Sequence, residues 1–548
     1  MEWSEGYVAD IDYTADFFRE LSPQWLNLSC LLNGFEPVPL NKPFTYFELG
    51  CGQGVTLSIL AASNPAAQFY GNDFMPSHIA AARQFADSAA LDNLTFLENS
   101  FSELASGAVA DLPQFDFITL HGVYTWVNAE NQAHIVKFIN TYLKPGGIVY
   151  TSYNAMPGWN TELPLKRLLL AHAALHPEKS AVQLAEATKF IEQFDVDNSG
   201  YFSNTPALKN LLLLLNTRNP SYLSHEYLHD DVKPLYHLDV VNYFSAAKLQ
   251  YVGSADLCYA YPSMYLNDEK LALVNAVSND PLRETLKDFF LNSYFRKDVF
   301  VRGARRLSAA RQRNLLGDLS LALLVPSQSV RTTDIKAGVT EVCINEPVYR
   351  PAFSALDHAP MTLGALAALP TLQNQSLADI TKVAVILVVS DQAVLYSATS
   401  LANEAATGAD TTVDTAVDAA PAQRVNALLA REARHTDTCD IFACPAAGNG
   451  IAMNIVERLV YLLLCEAGPD IDTDIMVDAV HDLLEDRQRR LRKDGKPIES
   501  DEENLAEIRR HVLATREHKV DIWRRLGLLE SLATTDYVND QSLIDLKK

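Results

Sequence analysis

The sequence has few cysteines, and their spacing suggests no pairing. The 548 residues include seven cysteines, an odd number. Cys439 and Cys444 are separated by four residues, which is not the spacing of a zinc ribbon. We therefore expect reduced thiols, which are typical of cytoplasmic proteins.

Long apolar runs and positive charge are also scarce. The sequence contains no run of about eighteen apolar residues, the length that would span a membrane. Its first residues, Met-Glu-Trp-Ser-Glu, lack the basic and apolar regions of a signal peptide. Against 45 Lys and Arg residues stand 68 Asp and Glu residues, for a net charge of −23. This balance argues against general binding to a nucleic-acid backbone. We expect a soluble, cytoplasmic protein with no membrane insertion and no nucleic-acid partner.

The most informative motif is Phe-Glu-Leu-Gly-Cys-Gly-Gln-Gly at residues 47–54. It follows a short β-type stretch and precedes a stretch, 55–63, that can form a helix. The glycines let the backbone approach a ligand, and the N-terminus of the helix points at that ligand. A nicotinamide or flavin fingerprint would have a glycine at position 55, where Val55 stands. The alternative is a tight turn without a ligand.

The next signal is an acid at the end of a second predicted strand, 68–70. Asp73 comes nineteen residues after Gly54, and Phe74 follows it. An acid at this point can accept hydrogen bonds from both ribose hydroxyls. Phe74 offers an aromatic face on which a base can stack. The alternative is that Asp73 caps the helix that follows it.

Further strands are predicted at 94–97, 115–120 and 148–153, and a helix at 132–143 that Lys-Pro-Gly-Gly closes. Strands and helices that alternate in this order predict an α/β fold with a parallel, doubly wound, Rossmann-like sheet. Ligands of such a sheet bind at the carboxyl ends of its strands. The rest of the chain is predicted to form mainly helical α+β modules.

The motif at 47–54 resembles motif I of the class I S-adenosylmethionine methyltransferases. The resemblance implies S-adenosylmethionine as the cofactor, with Glu48 facing its methionine part. Asn99 or Glu98 would bind the adenine amino group, because the usual Asp is absent. The residues that the resemblance places at the cofactor are Glu48, Gly50, Cys51, Gly52, Gly54, Asp73, Phe74, Asn99, Ser100, Phe101 and His121.

Three longer phrases make the resemblance narrower. They are His-Gly-Val-Tyr-Thr-Trp-Val at 121–127, Ser-Tyr-Asn-Ala-Met-Pro-Gly-Trp at 152–159 and Ser-His-Glu-Tyr-Leu at 224–228. They are similar to phrases of bacterial methyltransferases that carry a methyltransferase regulatory domain, a group that includes the rickettsial outer-membrane-protein lysine methyltransferases. The likeness extends from about residue 7 to residue 305. It implies methyl transfer, a homodimer, and a protein substrate such as an outer-membrane or surface protein before its export.

Side chains just past the ends of the fourth and fifth strands are candidates for an acceptor pocket. They are Tyr124, Trp126, Tyr153, Asn154 and Trp159. A lysine acceptor must arrive neutral, and a partly desolvated aromatic pocket lowers its pKa because burial disfavours the charged form. His121 is a candidate to remove a proton or to contact the cofactor. The alternatives are that the aromatic rings pack beneath a loop and that His121 is a structural hydrogen-bonding group.

Two further segments bear on the site. Residues 225–229 fit the HExxH pattern of zinc peptidases, but Pro234 interrupts any helix before His237 or Asp239, so we predict no metal site. The N-terminal segment is rich in aromatic residues and is predicted to close over the cofactor, with packing of a preceding helix as the alternative. Its aromatic residues are Trp3, Tyr7, Tyr13, Phe17 and Phe18.

The length and the 48% of hydrophobic residues allow about three domains. The predicted divisions are a methyltransferase domain with an N-terminal lid at 1–160, a helical connector at 161–199, a regulatory-type domain at 200–305, a small winged-helix-like domain at 306–400, a flexible linker at 401–423 and a helical C-terminal domain at 424–548. Within 306–400, two β-branched stretches, 383–390 and 393–397, stand out from helix-like runs. The sequence therefore predicts an S-adenosylmethionine-dependent methyltransferase with protein lysine as its acceptor. The alternatives are a methyltransferase for a small molecule or another biopolymer, and a cofactor-binding regulatory protein without transfer activity.

Overall fold

The computed structural model describes residues 16–176, 179–193, 200–205, 208, 212, 220–229, 232–397, 418–437, 439–493 and 495–529. Within these ranges, every helix is too short or too polar to cross a lipid bilayer.

A seven-stranded sheet of order β3-β2-β1-β4-β5-β7-β6 forms the centre of the N-terminal part. Its strands are β1 (Thr45–Leu49), β2 (Gln68–Asp73), β3 (Leu94–Glu98), β4 (Phe115–Leu120), β5 (Leu143–Asn154), β6 (Leu249–Ser254) and β7 (Phe295–Arg302). The first five are parallel, whereas β7 is antiparallel to both β5 and β6. The predicted doubly wound sheet is confirmed. Its strand order reverses between β1 and β4, and such a reversal creates the crevice in which these sheets bind ligands.

Helices cover both faces of the sheet. They are α1 (Pro23–Leu32), α2 (Val55–Ser63), α3 (Pro76–Ser88), α4 (Phe101–Ser106) and α5 (Ala129–Tyr142). Neighbouring residues of β1 point to opposite faces, so Tyr46 lies in the core that includes α1, α2 and α3, and Phe47 in the core that includes α4 and α5.

The turn from β1 into α2 requires a glycine. Gly54, directly before α2, has a φ of +70°. A Cβ at this position would lie 2.5 Å from the ring of Phe96 on β3. Only glycine therefore allows the chain to turn so close to β3, and this close approach brings the helix N-terminus to the carboxyl end of β1.

The last two strands of the sheet, β6 and β7, belong to the segment that the sequence assigns to a regulatory-type domain. The predicted domain end at residue 160 is therefore not an edge of the sheet. Between β5 and β7 lie α6 (Leu163–Ala173), α7 (Ser180–Glu192), α8 (Gly200–Ser203), α9 (Pro220–Leu228), α10 (His237–Ser245), α11 (Asp268–Ala276) and α12 (Asp280–Leu291). Side chains from α6, α7, α8 and α9 form a small apolar core of their own.

Residues 306–397 combine four helices with short strands. The elements are α13 (Ala309–Gly317), β8 (Leu319–Leu323), β9 (Ile335–Ala337), β10 (Thr340–Val342), α14 (Glu346–His358), β11 (Met361–Thr362), α15 (Leu363–Ala367), α16 (Leu377–Val389) and β12 (Ala393–Ser397). The β-branched stretch 383–390 lies largely in α16 and not in a strand. A capping box of Ser376 and Asp379 starts this helix, and burial on nearly all sides explains its apolar composition. The winged-helix description stays a prediction.

The C-terminal module packs directly on the N-terminal sheet domain. Its elements are α17 (Ala420–Glu432), β13 (Ile441–Cys444), β14 (Asn449–Ala452), α18 (Ile455–Ala467), α19 (Thr473–Glu485), β15 (Arg492–Lys493), β16 (Lys496–Pro497), α20 (Asp501–Ala514) and α21 (Val520–Arg525), with a π-helical turn at Thr515–Lys519 between the last two helices. Ile59 and Ala62 of α2 share a core with Phe442 of β13 and Leu459 of α18. Of the predicted linker, 401–417 lies outside the described residues, and its last residues belong to α17.

Candidate functional site

The glycine loop lies at the carboxyl end of β1. A Cβ at Gly50 would lie 2.7 Å from the side chain of Val123, so the loop passes close to the chain that follows β4. Gly52 differs, because its φ is +53° and a Cβ there would meet nothing within 4 Å. The loop therefore leaves open space beside Gly52, which is the shape of a cradle for a ligand.

Asp73, at the end of β2, holds this loop in place. Its Oδ2 accepts a hydrogen bond from the Gly52 backbone N at 2.9 Å, and its Oδ1 accepts one from the Met75 backbone N at 2.9 Å. Met75 is the N-cap residue of α3, so Asp73 is not the helix cap of the alternative interpretation. Phe74 is half-buried beside it. The side chain of Asp73 therefore fixes the position of Gly52 in the loop.

Glu48, the residue before the end of β1, is a buried acid. Its side chain is 4% exposed, and its Oε2 has no hydrogen-bond partner within the described part of the chain. Burial, together with the nearby carboxylate of Asp73, raises the pKa of Glu48 to about 8. A positively charged ligand would stabilise both carboxylates, because burial of an uncompensated charge is costly. Glu48 and Asp73 therefore fit a cationic ligand.

The other predicted cofactor residues cluster at the same edge of the sheet. The Cys51 backbone N donates to the Asn72 carbonyl at 2.9 Å, and the Asn72 side chain donates to the Asn99 carbonyl at 2.9 Å. Ser100 caps α4 through a capping box with Glu103, and Phe101 is the first residue of α4. Burial raises the pKa of the Cys51 thiol well above its usual value, so this thiol is protonated. The contacts of these residues with a cofactor stay a prediction.

His121 follows β4 and is enclosed by aromatic rings. Its Nδ1 lies 2.9 Å from the Tyr150 hydroxyl, and the ring of Phe18 stacks on the imidazole with 3.7 Å between centroids. Phe295 lies on another side, at 5.9 Å between centroids. Burial lowers the pKa of His121 to about 4, although the nearby Glu20 has an opposing effect. The imidazole is therefore neutral near pH 7.

We expect the ring protons of His121 to show no titration between about pH 5.5 and 8, the range in which an unperturbed histidine titrates. Proton NMR of the histidine rings, with His121→Asn to assign the signal, checks this. His134, whose half-buried ring is on α5, is the comparison. A His121 transition near pH 6.5 would show that its ring is solvated rather than enclosed.

The described part of the N-terminal segment lies over His121 and the first turn of α2. The Phe18 backbone N donates to the Thr56 hydroxyl at 3.1 Å, and this hydroxyl donates to the Asp16 carbonyl at 3.1 Å. Glu20 forms an ion pair with Lys297 on β7. Trp3, Tyr7 and Tyr13 lie outside the described residues, and Phe17 packs beside Gly450 of the C-terminal module. The segment therefore contacts three separate parts of the fold beside the site.

Two of the predicted acceptor-pocket residues are enclosed by the core. Tyr124 is 1% exposed, and its ring packs edge-on against Phe244 at 5.1 Å. Tyr153 is fully buried and donates a hydrogen bond to Asp298 Oδ2 at 2.6 Å. These two tyrosines therefore pack in the interior, as in the alternative to an acceptor pocket.

The other three, Trp126, Asn154 and Trp159, lie near a buried lysine. Asn154 and Trp159 are as buried as the two tyrosines, whereas Trp126 is half-buried. Lys166 of α6 is 3% exposed, and its Nζ lies 5.9 Å from the ring centroids of both Trp126 and Trp159. Its Nζ donates to the Glu226 carbonyl at 2.7 Å, and the Asn154 amide lies 3.5 Å from Glu226 Oε1. Lys166 is not among the residues predicted from the sequence. The available signal was a lysine at a position of α6 that its apolar neighbours, Leu165 and Leu169, mark as buried.

The HExxH segment is divided between a helix and the residues after it. His225 and Glu226 lie in α9, whereas His229 follows the helix, and its Nε2 is 2.5 Å from the Trp126 carbonyl. Among the described residues, the acid and histidine groups close enough to hold one ion do not include this segment.

A cleft of about 1240 Å³ lies away from these residues. It is lined by Pro43 and Phe44, which precede β1, and by Ala67, which precedes β2. It therefore opens at the amino ends of the strands, whereas Glu48, Gly52 and Asp73 lie at the carboxyl ends.

Two family models match consecutive parts of the chain. A methyltransferase domain matches residues 40–198, and a predicted methyltransferase regulatory domain matches residues 219–302. An uncharacterized protein of Synechocystis is 33% identical over 536 residues, which cover 96% of this chain and all of that protein. An uncharacterized protein of Rickettsia prowazekii is 29% identical over 303 residues, 53% of each chain.

Among solved structures, PKMT2 from Rickettsia typhi in complex with AdoHcy is similar, with a TM-score of 0.65 and 20% identity over 94% of this chain and 99% of that one. A similarity of this extent establishes a shared fold. Because a relative is covered over its full length and both domain models match in order, the chain belongs to the bacterial class I S-adenosylmethionine-dependent methyltransferases that carry a methyltransferase regulatory domain.

Proposed function

We propose that this methyltransferase transfers methyl groups to lysine side chains of a protein substrate. The observation that carries the proposal is the cluster around Lys166. Trp126 and Trp159, predicted for the acceptor pocket, already lie beside a lysine ammonium of the chain itself, and Asn154 lies beside Glu226, whose carbonyl accepts from that ammonium. Aromatic faces attract such a cation and also pack along the apolar stem of a lysine side chain, so the same kind of surroundings suits the side chain of an incoming lysine.

The residues at the carboxyl ends of β1 and β2 fit the cofactor. Glu48, with its unpartnered Oε2, would face the charged methionine part. Asp73 would accept the ribose hydroxyls, and the open space beside Gly52 would receive the backbone-facing part of the ligand. Bound S-adenosylmethionine supplies a methyl group that its sulfonium already activates.

The remaining task of the chain is to align a neutral amine behind the methyl carbon, because in-line transfer needs positioning more than covalent help. His121 is neutral and lies between Phe18 and the Tyr150 hydroxyl. The neutral His121 ring can therefore line the site with an uncharged hydrogen-bonding group that does not repel the cationic methyl donor. The AdoHcy complex of PKMT2, which shares the fold, supports the cofactor part of the proposal. A cytoplasmic location and a homodimer stay predictions of the family resemblance.

The test is transfer of radiolabelled methyl from S-adenosylmethionine to proteins of a bacterial lysate. We expect discrete labelled protein bands that survive acid and that Gly52→Arg and Asp73→Ala abolish. Gly52→Arg would fill the open space of the cradle. Gly303→Arg is the matched control, since Gly303 also has a positive φ, +67°, and a side chain there also meets nothing within 4 Å; it should leave labelling unchanged.

An absence of protein label, when calorimetry shows that the cofactor binds, would overturn the proposal. Label in small molecules alone would then identify a small-molecule methyltransferase. No label in either fraction would identify a cofactor-binding protein without transfer activity.

A further inference from the structure

We propose that the Lys166 ammonium is a fixed positive charge that keeps the amine of an incoming lysine in its neutral, nucleophilic form. The inference rests on the proposed lysine acceptor, and it assigns Lys166 a role in the chemistry without contact with the methyl donor. Lysine side chains in water are almost entirely protonated near pH 7, and a protonated amine has no lone pair for attack. The acceptor site therefore needs a device that favours deprotonation.

The position of Lys166 suits such a device. Its side chain is 3% exposed, and its Nζ donates to the Glu226 carbonyl at 2.7 Å. The faces of Trp126 and Trp159 lie equally far from this Nζ, at 5.9 Å. Burial disfavours a charged lysine, and the backbone carbonyl and the two rings offset this by favouring the ammonium form. The Lys166 ammonium is therefore held in one position, whereas the ammonium of an exposed lysine moves freely in water.

The charged and titratable groups around Lys166 come from several elements. On α9 they are His225 and Glu226, with His229 just after the helix; before α6 stands Glu162, which accepts hydrogen bonds from Tyr227 and Tyr294. On α7, Glu186 and Lys189 pair with each other at the exposed surface. Glu226 is the acid whose side chain reaches a predicted acceptor residue, because its Oε1 lies 3.5 Å from the Asn154 amide. A negative charge at Glu226 raises the pKa of a bound amine, whereas the positive charge of Lys166 lowers it, so the two residues should act on an acceptor with opposite signs.

The size of the effect follows from Coulomb's law. Two like charges about 6 Å apart, at the effective dielectric constant of about 20 that applies within proteins, interact strongly enough to shift a pKa by about two units. The negative charge of Glu226 partly cancels this effect, so we expect Lys166 to lower the pKa of the bound acceptor by about one unit. At a pH below that pKa, the neutral fraction of the acceptor rises about tenfold.

The experiment measures kcat against pH at saturating acceptor, because the acid limb of kcat reports groups in the enzyme–substrate complex. Heat-denatured total bacterial protein is the acceptor and radiolabelled S-adenosylmethionine the donor. Lys166→Met, which keeps the length of the side chain, should move the acid limb up by about one pH unit and lower kcat about tenfold near pH 7, with recovery at alkaline pH. Lys166→Arg keeps the charge and should retain the wild-type profile. Glu226→Gln should move the acid limb down.

A purely structural role predicts something else, namely a loss of kcat by the same factor at every pH. That result for Lys166→Met, or a wild-type acid limb in all three variants, would overturn the inference. Calorimetric binding of S-adenosylmethionine and thermal unfolding of each variant identify any that has lost its fold. If the wild-type enzyme labels no protein lysine, the proposed function itself fails, and this outcome is distinct from an unmoved acid limb in an active enzyme.

Discussion

Replacing Asp298 by alanine should lower the free energy of unfolding by about 3 to 5 kcal/mol, the usual cost of removing one partner from a buried ion pair. Asp298 is fully buried at the centre of a polar network. It accepts hydrogen bonds from Tyr153 Oη at 2.6 Å, from His237 Nδ1 at 2.8 Å and from Arg296 Nε at 3.0 Å. The substitution would remove one of the carboxylates that pair with Arg296, which keeps Asp288 and Glu284. It would also leave the Tyr153 hydroxyl and His237 Nδ1 without this acceptor.

The same network predicts how stability depends on pH. Burial alone would raise the pKa of Asp298, but Arg296 and His237 together hold it well below its usual value. A carboxyl group whose pKa is lower in the folded state stabilises the fold above its unfolded-state pKa, and this contribution is lost as the pH falls through the folded pKa. The wild-type protein should therefore lose stability in acid more steeply than Asp298→Asn.

Urea unfolding of the wild type, Asp298→Ala and Asp298→Asn measures both effects. Glu186→Ala, which breaks an exposed pair with Lys189, is the control and should leave the unfolding curve unchanged. The hydrogen bond from Tyr153 to Asp298 joins β5 to β7 next to Asn154. We therefore also expect Asp298→Asn to lose methyl transfer while it still binds the cofactor. An Asp298→Ala protein as stable as the wild type would contradict this account of the network.

Replacing Glu48 by glutamine should stabilise the cofactor-free protein at alkaline pH. Burial, with Asp73 nearby, raises the pKa of Glu48 from 4.5 to about 8. A carboxyl group whose pKa is higher in the folded state contributes stability below pH 4.5, and this contribution is lost as the pH rises to about 8. A shift of this size corresponds to roughly 4 to 5 kcal/mol. Glutamine has no proton to lose and therefore avoids this loss.

The measurement is the difference in unfolding free energy between Glu48→Gln and the wild type as a function of pH. It should grow from about pH 4.5 to about pH 8 and level off above that. Glu98→Gln, which makes the same change at an exposed glutamate at the end of β3, is the control for the substitution itself. A constant difference across this range would mean that Glu48 is not a high-pKa acid in the folded protein.

Binding of the cofactor allows a second measurement of the protonation of Glu48. A positive charge bound beside Glu48 favours its ionised form, so binding of S-adenosylmethionine near pH 7 should release a proton. Calorimetry in buffers of different ionisation enthalpy detects this release. S-adenosylhomocysteine, which lacks the sulfonium charge, should release less, and Glu48→Gln should release none and bind more weakly. Equal proton release by both ligands would contradict a charge-based role for Glu48.

The glycine loop at the carboxyl ends of β1 and β2 was predictable because its signals are local. Glu48, Gly52 and Asp73 lie at the ends of adjacent strands, and parallel strands bring their carboxyl ends to one edge. The spacing of the glycines therefore determines the loop, the start of α2 and the contact between Gly52 and Asp73. One stretch adopts a structure that its composition does not indicate, since the β-branched residues 383–390 lie largely in a helix. A capping box at Ser376 and burial on nearly all sides outweigh β propensity there.

The acceptor side could not be derived in the same way because its contacts are long-range. Lys166 meets the Glu226 carbonyl 60 residues further along the chain, and Tyr153 meets Asp298 across 145 residues. No periodicity in the sequence reports such pairs. For the same reason β6 and β7 were not recognised as members of the first sheet, since about 90 residues, rather than the usual short crossover, separate β5 from β6. Aromatic side chains past a strand end indicated a pocket, yet Tyr124 and Tyr153 belong to the core.

The most direct test of the proposed function is the identity of the methylated amino acid. Protein labelled by this enzyme with radioactive S-adenosylmethionine is hydrolysed completely in acid, and the amino acids are separated by chromatography beside methylated standards. We predict that the label elutes with the Nε-methylated lysines and is absent from protein treated with Gly52→Arg. Label on any other amino acid, with none on lysine, would contradict a lysine acceptor and with it the role that we assign to Lys166.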